Sequence, residues 1–209
     1  GVIVRGSRGA RRGVPLLPFC RYRLQLSGRG ELRRAQGIEA QGLSAPLVGR
    51  SLFAALYLNE LLVRLLHRDV PMPGVFEAYA RAVAQLAAGD ALEATLRFFE
   101  KQLLEELGYG HRYAETVDGE PVSPGRLYTF DPDAGVRASP PGLPASQCYR
   151  GSALIGLDDG VLCDGDDLRD AKRLMRRALA PHLGDRPLRS RALFRPVGIA
   201  VANPGEDFS

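Results

Sequence analysis

The chain has 209 residues, 45% of them hydrophobic and 25% charged, with a formal net charge of +4. Those proportions suit a soluble globular protein of one large or two small domains, and no apolar run is long enough to span a bilayer. No signal-peptide pattern opens the chain, and Cys20, Cys148 and Cys163, odd in number and far apart, fit a reducing cytoplasm better than a disulfide framework.

The small net charge conceals a segregation. Residues 1–40 hold nine Arg against Glu31 and Glu39. Residues 41–168 hold ten basic and eighteen acidic side chains, and residues 169–195 hold nine basic ones against Asp170 and Asp185. Two basic ends around an acidic middle suggest a polyanion partner, most often nucleic acid. Lys occurs only at Lys101 and Lys172. The remaining cations are Arg, which grips phosphate with paired hydrogen bonds.

Residues 1–40 read as strands. Val2-Ile3-Val4 is a short β-branched run, and because the chain starts abruptly inside it, a preceding piece is expected. Gly6 to Gly13 is a basic, Gly-rich loop carrying Arg8, Arg11 and Arg12, just after Arg5. From Phe19 to Leu26 the pattern alternates. Phe19, Arg21, Arg23 and Gln25 fall on a basic face; Cys20, Tyr22, Leu24 and Leu26 fall on a face expected to be buried. Ser27-Gly28-Arg29-Gly30 is a turn, and Glu31 to Ala35, with Arg33 and Arg34, leads into a further strand. Phe19 and Tyr22 are candidates for base stacking as well as for core packing.

From about Val48 the period becomes helical. Over 50–67 the apolar residues nearly surround the axis, so a central buried helix is expected. Pro71 and Pro73 break the chain. Helices follow over 74–88 and 90–107, the second with Asp90 as N-cap and Gly108 as its stop, and the three can build a bundle core. Residues 109–150 read as irregular, and 157–167 as an acidic turn. A last helix runs over 166–180 until Pro181. Arg169, Arg173 and Arg176 at i, i+4 and i+7, with Lys172 and Arg177 beside them, make a basic stripe, continued by Arg186, Arg189, Arg191 and Arg195.

Other chemistries find little support. No CxxC occurs, and His67, His111 and His182 are far apart, so no zinc site is expected. The acidic cluster Asp158, Asp159, Asp164, Asp166 and Asp167 lacks EF-hand spacing. A solvated turn with a negative helix start accounts for it better, and a divalent-metal hydrolase built on it is a distant alternative. GxSxG and phosphate-loop motifs are absent. The candidate DNA contacts are therefore Arg5, Arg8, Arg11, Arg12, Arg29, Arg33 and Arg34, and Arg169, Lys172, Arg173, Arg176 and Arg177. The competing reading is an interaction module whose basic ends meet acidic proteins without touching DNA.

Five segments occur together in the order of a known family: Gly28-Arg29-Gly30-Glu31-Leu32; Leu56-Tyr57-Leu58-Asn59-Glu60-Leu61-Leu62; Leu96-Arg97-Phe98-Phe99-Glu100; Leu107-Gly108-Tyr109-Gly110; and Ala171-Lys172-Arg173 through Ser190-Arg191-Ala192-Leu193-Phe194. On these the chain resembles the bacterial RecO family of DNA repair and recombination mediators. The resemblance implies an α+β protein: a partial N-terminal OB-fold barrel over residues 1–45, then a helical domain over 46–209 with an irregular insertion at about 109–164. It implies binding of single- and double-stranded DNA, strand annealing in the RecF pathway, and cooperation with RecR in loading RecA onto strands coated by single-stranded-DNA-binding protein (SSB). It also implies a cytoplasmic, nucleoid-associated protein that is not an enzyme and needs no cofactor. Arg97 falls in the motif expected to receive the acidic, Phe-ending SSB tail. A Cys-rich zinc element that many members carry is not expected, because Arg112 to Glu120 contains no Cys.

Overall fold

The computed structural model describes residues 2–4, 16–30, 32–42, 46–162 and 165–194. Arg5, Arg8, Arg11, Arg12, Cys163, Asp164 and Arg195 lie outside the described residues. Chain order runs β1 (Val2–Ile3), β2 (Tyr22–Ser27), β3 (Arg33–Ala40), α1 (Gly49–Leu65), α2 (Pro73–Ala88), α3 (Leu92–Glu106), β4 (Leu127–Asp131), β5 (Gly135–Ala138), β6 (Tyr149–Arg150), α4 (Gly151–Asp159) and α5 (Gly165–Leu183), closing on a 3-10 turn over Arg189–Phe194. The architecture is α+β.

The N-terminal sheet has the order β1-β3-β2. β2 pairs antiparallel with β3 from Tyr22↔Ala40 to Ser27↔Arg34, with an irregularity between Arg23 and Gln25, and β1 runs parallel to β3. Among the described residues the sheet does not close into a barrel. The strand expected at β2 is present, but the face expected to be buried is not. Leu24 and Leu26 are 38% and 46% exposed, because no described element covers them. Phe19 packs against the helical core instead of standing as a free stacking platform. Two ion pairs between exposed side chains tie the sheet to the helices: Arg21 to Glu77 at 3.2 Å and Arg33 to Asp69 at 3.5 Å. The Arg21 guanidinium also lies 4.8 Å from the Phe76 ring centroid.

The core sits in the helical body. Ala54, Tyr57, Leu58 and Leu61 of α1, Val75, Ala82 and Leu86 of α2, and Leu96, Phe99 and Leu103 of α3 are all buried there. α1 is not encircled as its composition suggested. Its outer side faces solvent, with Val63 82% exposed. Pro73 opens α2, where a missing N–H costs nothing, and Gly89 ends it in the left-handed region. α3 begins one residue later than Asp90 as N-cap suggests. Ala91 takes the N-cap position with no side-chain bond, and the Thr95 amide reaches the Ala91 carbonyl at 3.0 Å. Gly108 stops α3 as expected. At φ +83° it lets the Tyr109 N–H reach the Leu104 carbonyl at 2.8 Å and its own N–H reach the Glu105 carbonyl at 3.0 Å.

The stretch that reads as irregular contains a second sheet, order β5-β4-β6. β4 and β5 form a hairpin from Tyr128↔Ala138 to Asp131↔Gly135. Asp131 Oδ1 closes the turn by accepting from the Asp133 and Ala134 amides at 2.9 and 3.0 Å. The inner face carries Tyr128, Phe130, Val136 and Tyr149, which join the main core with Tyr113. α4 occupies the start of what reads as an acidic turn; its Gly151 is required, because a Cβ there would collide with the Ser123 carbonyl. α5 runs on through Pro181 to Leu183, since a proline this near the end forfeits little helix bonding. Ala171, Leu174, Met175, Ala178 and Leu179 bury its apolar face.

Candidate functional site: a cationic pocket between α1, α3 and α5

One cavity of about 200 Å³ opens where α1, α3, α5 and the 3-10 turn converge. α1 supplies Arg50 and Tyr57, α3 supplies Glu93, Leu96 and Arg97, α5 supplies Lys172 and Arg176, and the turn supplies Arg191 and Phe194. Leu96 and Phe194 give it an apolar side, and Phe194 is fixed by an edge-on contact with Phe53 at 6.0 Å between centroids. The turn is clasped to α1 by Glu60. Its carboxylate accepts from the Arg189 N–H at 2.9 Å, the Ser190 N–H at 2.8 Å and the Ser190 hydroxyl at 2.6 Å. Partial burial opposes the Glu60 charge, but these bonds and the nearby Arg64 outweigh it and hold the carboxyl below its ordinary value. Arg64 in turn donates to the Leu183 and Arg186 carbonyls at 2.6 and 2.7 Å, closing off the end of α5.

Arg97 does not face solvent. Its side chain is 4% exposed, and Nη2 lies 2.9 Å from Oε1 of a fully buried Glu100, an i, i+3 partner on α3. The Tyr57 hydroxyl donates to the same oxygen at 2.6 Å from across the helix interface. Burial pushes the Glu100 carboxyl up, opposed by Arg97 and by the Tyr57 bond. Burial and the Glu100 charge likewise push the Tyr57 phenol up, so it stays a protonated donor. Arg97 Nε and Glu100 Oε2 are buried without a hydrogen-bond partner among the described residues. Lys172 is partly neutralised by Glu93 at 3.0 Å, whereas Arg50, Arg176 and Arg191 form no ion pair among the described residues. Five cations facing two carboxylates leave the pocket strongly positive. Charge of that sign beside an apolar wall suits an anion attached to an apolar group.

The basic stripe of α5 is not one track. Lys172 and Arg176 face the pocket. Arg169, Arg173 and Arg177 do not line it, and all three have a partner on the protein. Arg169 pairs with Asp166. Arg173 donates to the Ser146 and Cys148 carbonyls, pairs with Asp170 at 2.7 Å and lies 4.9 Å from the Tyr149 ring centroid, clipping the segment before β6 onto α5. Arg177 is exposed, hydrogen-bonded to Tyr149 and close to Asp131. Arg29 and Arg34 are exposed at the β2–β3 turn and on β3, and Arg33 is taken by Asp69. Among the described residues, the pocket brings together the predicted Arg97, Lys172 and Arg176, with Arg191 from the continuation of the stripe. Arg50, Tyr57, Glu93, Glu100 and Phe194 were missed, although Tyr57, Glu100 and Phe194 stand in the segments that carry the family resemblance. Among the described residues no group of three His, Cys, Asp or Glu could hold a metal ion, and no helix is long and apolar enough to cross a membrane.

Residues 48–192, which hold α1 to α5, match the family described as "Recombination protein O C terminal" (RecO_C). The chain belongs to the RecO family. It is 45% identical over 195 residues to the DNA repair protein RecO of Pseudomonas aeruginosa strain UCBPP-PA14, an alignment covering 92% of this chain and 81% of that relative. It is 43% identical over 196 residues to the DNA repair protein RecO of Pseudomonas putida strain GB-1, covering 92% and 84%. RecO membership supports a role in DNA repair and recombination. All the pocket residues except Phe194 lie inside the RecO-matched span.

Proposed function

We propose that the chain is a DNA-binding recombination mediator that works without turnover, cooperating with RecR to promote strand annealing and RecA loading on SSB-coated single strands. The observation that carries this reading is the cationic pocket. A peptide ending in a free carboxylate beside a Phe side chain needs fixed cations and an apolar wall, and the pocket presents Arg97, Lys172, Arg176 and Arg191 opposite Leu96 and Phe194. We assign it to the acidic C-terminal tail of SSB. Calorimetry with a short acidic peptide ending in Phe tests this directly: binding should weaken sharply with salt and be lost when Arg97 and Lys172 are both replaced by Ala. A peptide that binds the double variant as well as the wild type would remove the pocket from the reading.

DNA contact rests on different residues. The exposed Arg29 and Arg34 remain available to track phosphates, and the exposed Arg177 can do so in exchange for its bond to Tyr149. We read the N-terminal sheet as part of an OB-fold barrel over residues 1–45, since its uncovered Leu24 and Leu26 match the inner face of a barrel awaiting further strands. The remaining residues form the helical domain, and the protein acts at the nucleoid in the cytoplasm. The second reading, a module that binds acidic proteins without touching DNA, draws support from the same pocket and from the commitment of Arg173 to the fold. A gel shift with a generic oligonucleotide separates the two.

A further inference from the structure

We infer that Glu100 and Tyr57 are positioning residues for the pocket: they hold the Arg97 guanidinium in the one place where a ligand carboxylate can meet it. The inference rests on the pocket reading above and goes beyond it, because Glu100 does not line the cavity. The argument starts from cost. A fully buried carboxylate paired with an Arg is seldom retained for stability, since apolar residues of similar volume do as well or better. Burial alone therefore does not explain Glu100. Its position does. An arginine side chain is long and would snorkel toward water if unopposed. Glu100 Oε1 takes Nη2 of Arg97 at 2.9 Å and is itself fixed by the Tyr57 hydroxyl at 2.6 Å. Two helices thus pin one guanidinium. The Nε–H of Arg97 is buried and has no partner among the described residues, so nothing but Glu100 fixes the head. A pre-placed donor avoids the ordering cost that a mobile arginine would incur on binding.

Electrostatics alone predicts the opposite sign for Glu100. Removing a negative charge beside five cations should tighten an anionic ligand. Removing the anchor should loosen it. The experiment compares two probes, a short acidic peptide ending in a free Phe carboxylate and the same peptide amidated, on wild type, Tyr57→Phe and Glu100→Gln. The wild type should prefer the free acid. In Tyr57→Phe, which changes no charge, the free acid should bind about tenfold more weakly while the amide barely changes, the size expected for one bond to a charged group. In Glu100→Gln the free-acid preference should likewise collapse. A merely structural role would lower both probes together. Val136→Ala, in the core of the second sheet, gives a destabilised control whose preference should stay intact. If both variants keep the wild-type preference, or if Glu100→Gln binds the free acid more tightly, the positioning role is overturned and the pocket reading survives. If the wild type binds neither probe, the pocket reading itself is overturned.

Discussion

The N-terminal sheet and the helical body use arginine in opposite ways. On the sheet the guanidinium groups ride in solvent, and the two that touch the body do so through exposed pairs, Arg21 with Glu77 and Arg33 with Asp69. In the body, Arg97 is buried against Glu100, Arg64 closes the end of α5, and Arg173 clips a connecting segment to α5. The lesson is that a cluster of like charges in sequence mixes side chains that hold the fold with side chains left over for a ligand. Only their partners tell them apart.

The widest contrast is in stability. Leu103→Ala in the body should cost about 2–5 kcal/mol, whereas Leu26→Ala on the uncovered sheet face should fall within about 0.5 kcal/mol. Urea unfolding reads both, and a comparable loss at Leu26 would mean that the face is covered in solution. Next comes ligand binding. Arg97→Ala should weaken the acidic peptide by about 2–3 kcal/mol, the scale of losing one buried partner of a charged pair, while Arg29→Ala leaves it unchanged. On single-stranded DNA the ranking reverses. Arg177→Ala should lower the slope of log affinity against log salt by about 0.7 for one lost phosphate contact. Arg173→Ala should instead lower the melting temperature with little change in slope, and a full slope change there would return Arg173 to the DNA contacts.

The smallest effect is acid-dependent. The Glu60 carboxyl is held below its ordinary value of 4.5. Its contribution is therefore complete above that value and is lost as pH falls through the lower, folded-state value. Thermal melts between neutral pH and pH 3 should show Glu60→Gln less stable than wild type near neutrality, with the two curves converging in acid.

The helices were legible because their apolar residues recur at the helical period over fifteen or more positions. The hairpin was not. β4 and β5 have five and four residues, too few for a two-residue alternation to stand out between Pro- and Gly-rich flanks. α4 hid for a related reason: Gly151 and Gly156, poor helix formers, are there because the packing leaves no room for a Cβ. In the site, Arg97 was found through family resemblance, yet its anchor was invisible, since the Tyr57–Glu100 bond joins residues 43 apart on different helices. Spacing on α5 showed which cations share a side of the helix. It could not show that only Lys172 and Arg176 of that side line the pocket while Arg173 turns to the segment before β6.

The turn that brings Arg191 and Phe194 to the pocket stays docked through a carboxylate on α1. The turn is therefore one wall of the site, held by a contact outside it. Any ligand that bears on Arg191 or Phe194 binds the docked turn and not the released one, so mass action makes occupancy and docking raise each other. Protease access just beyond α5, around Asp185 and Arg186, becomes a gauge of occupancy, with cleavage slowing as the pocket fills.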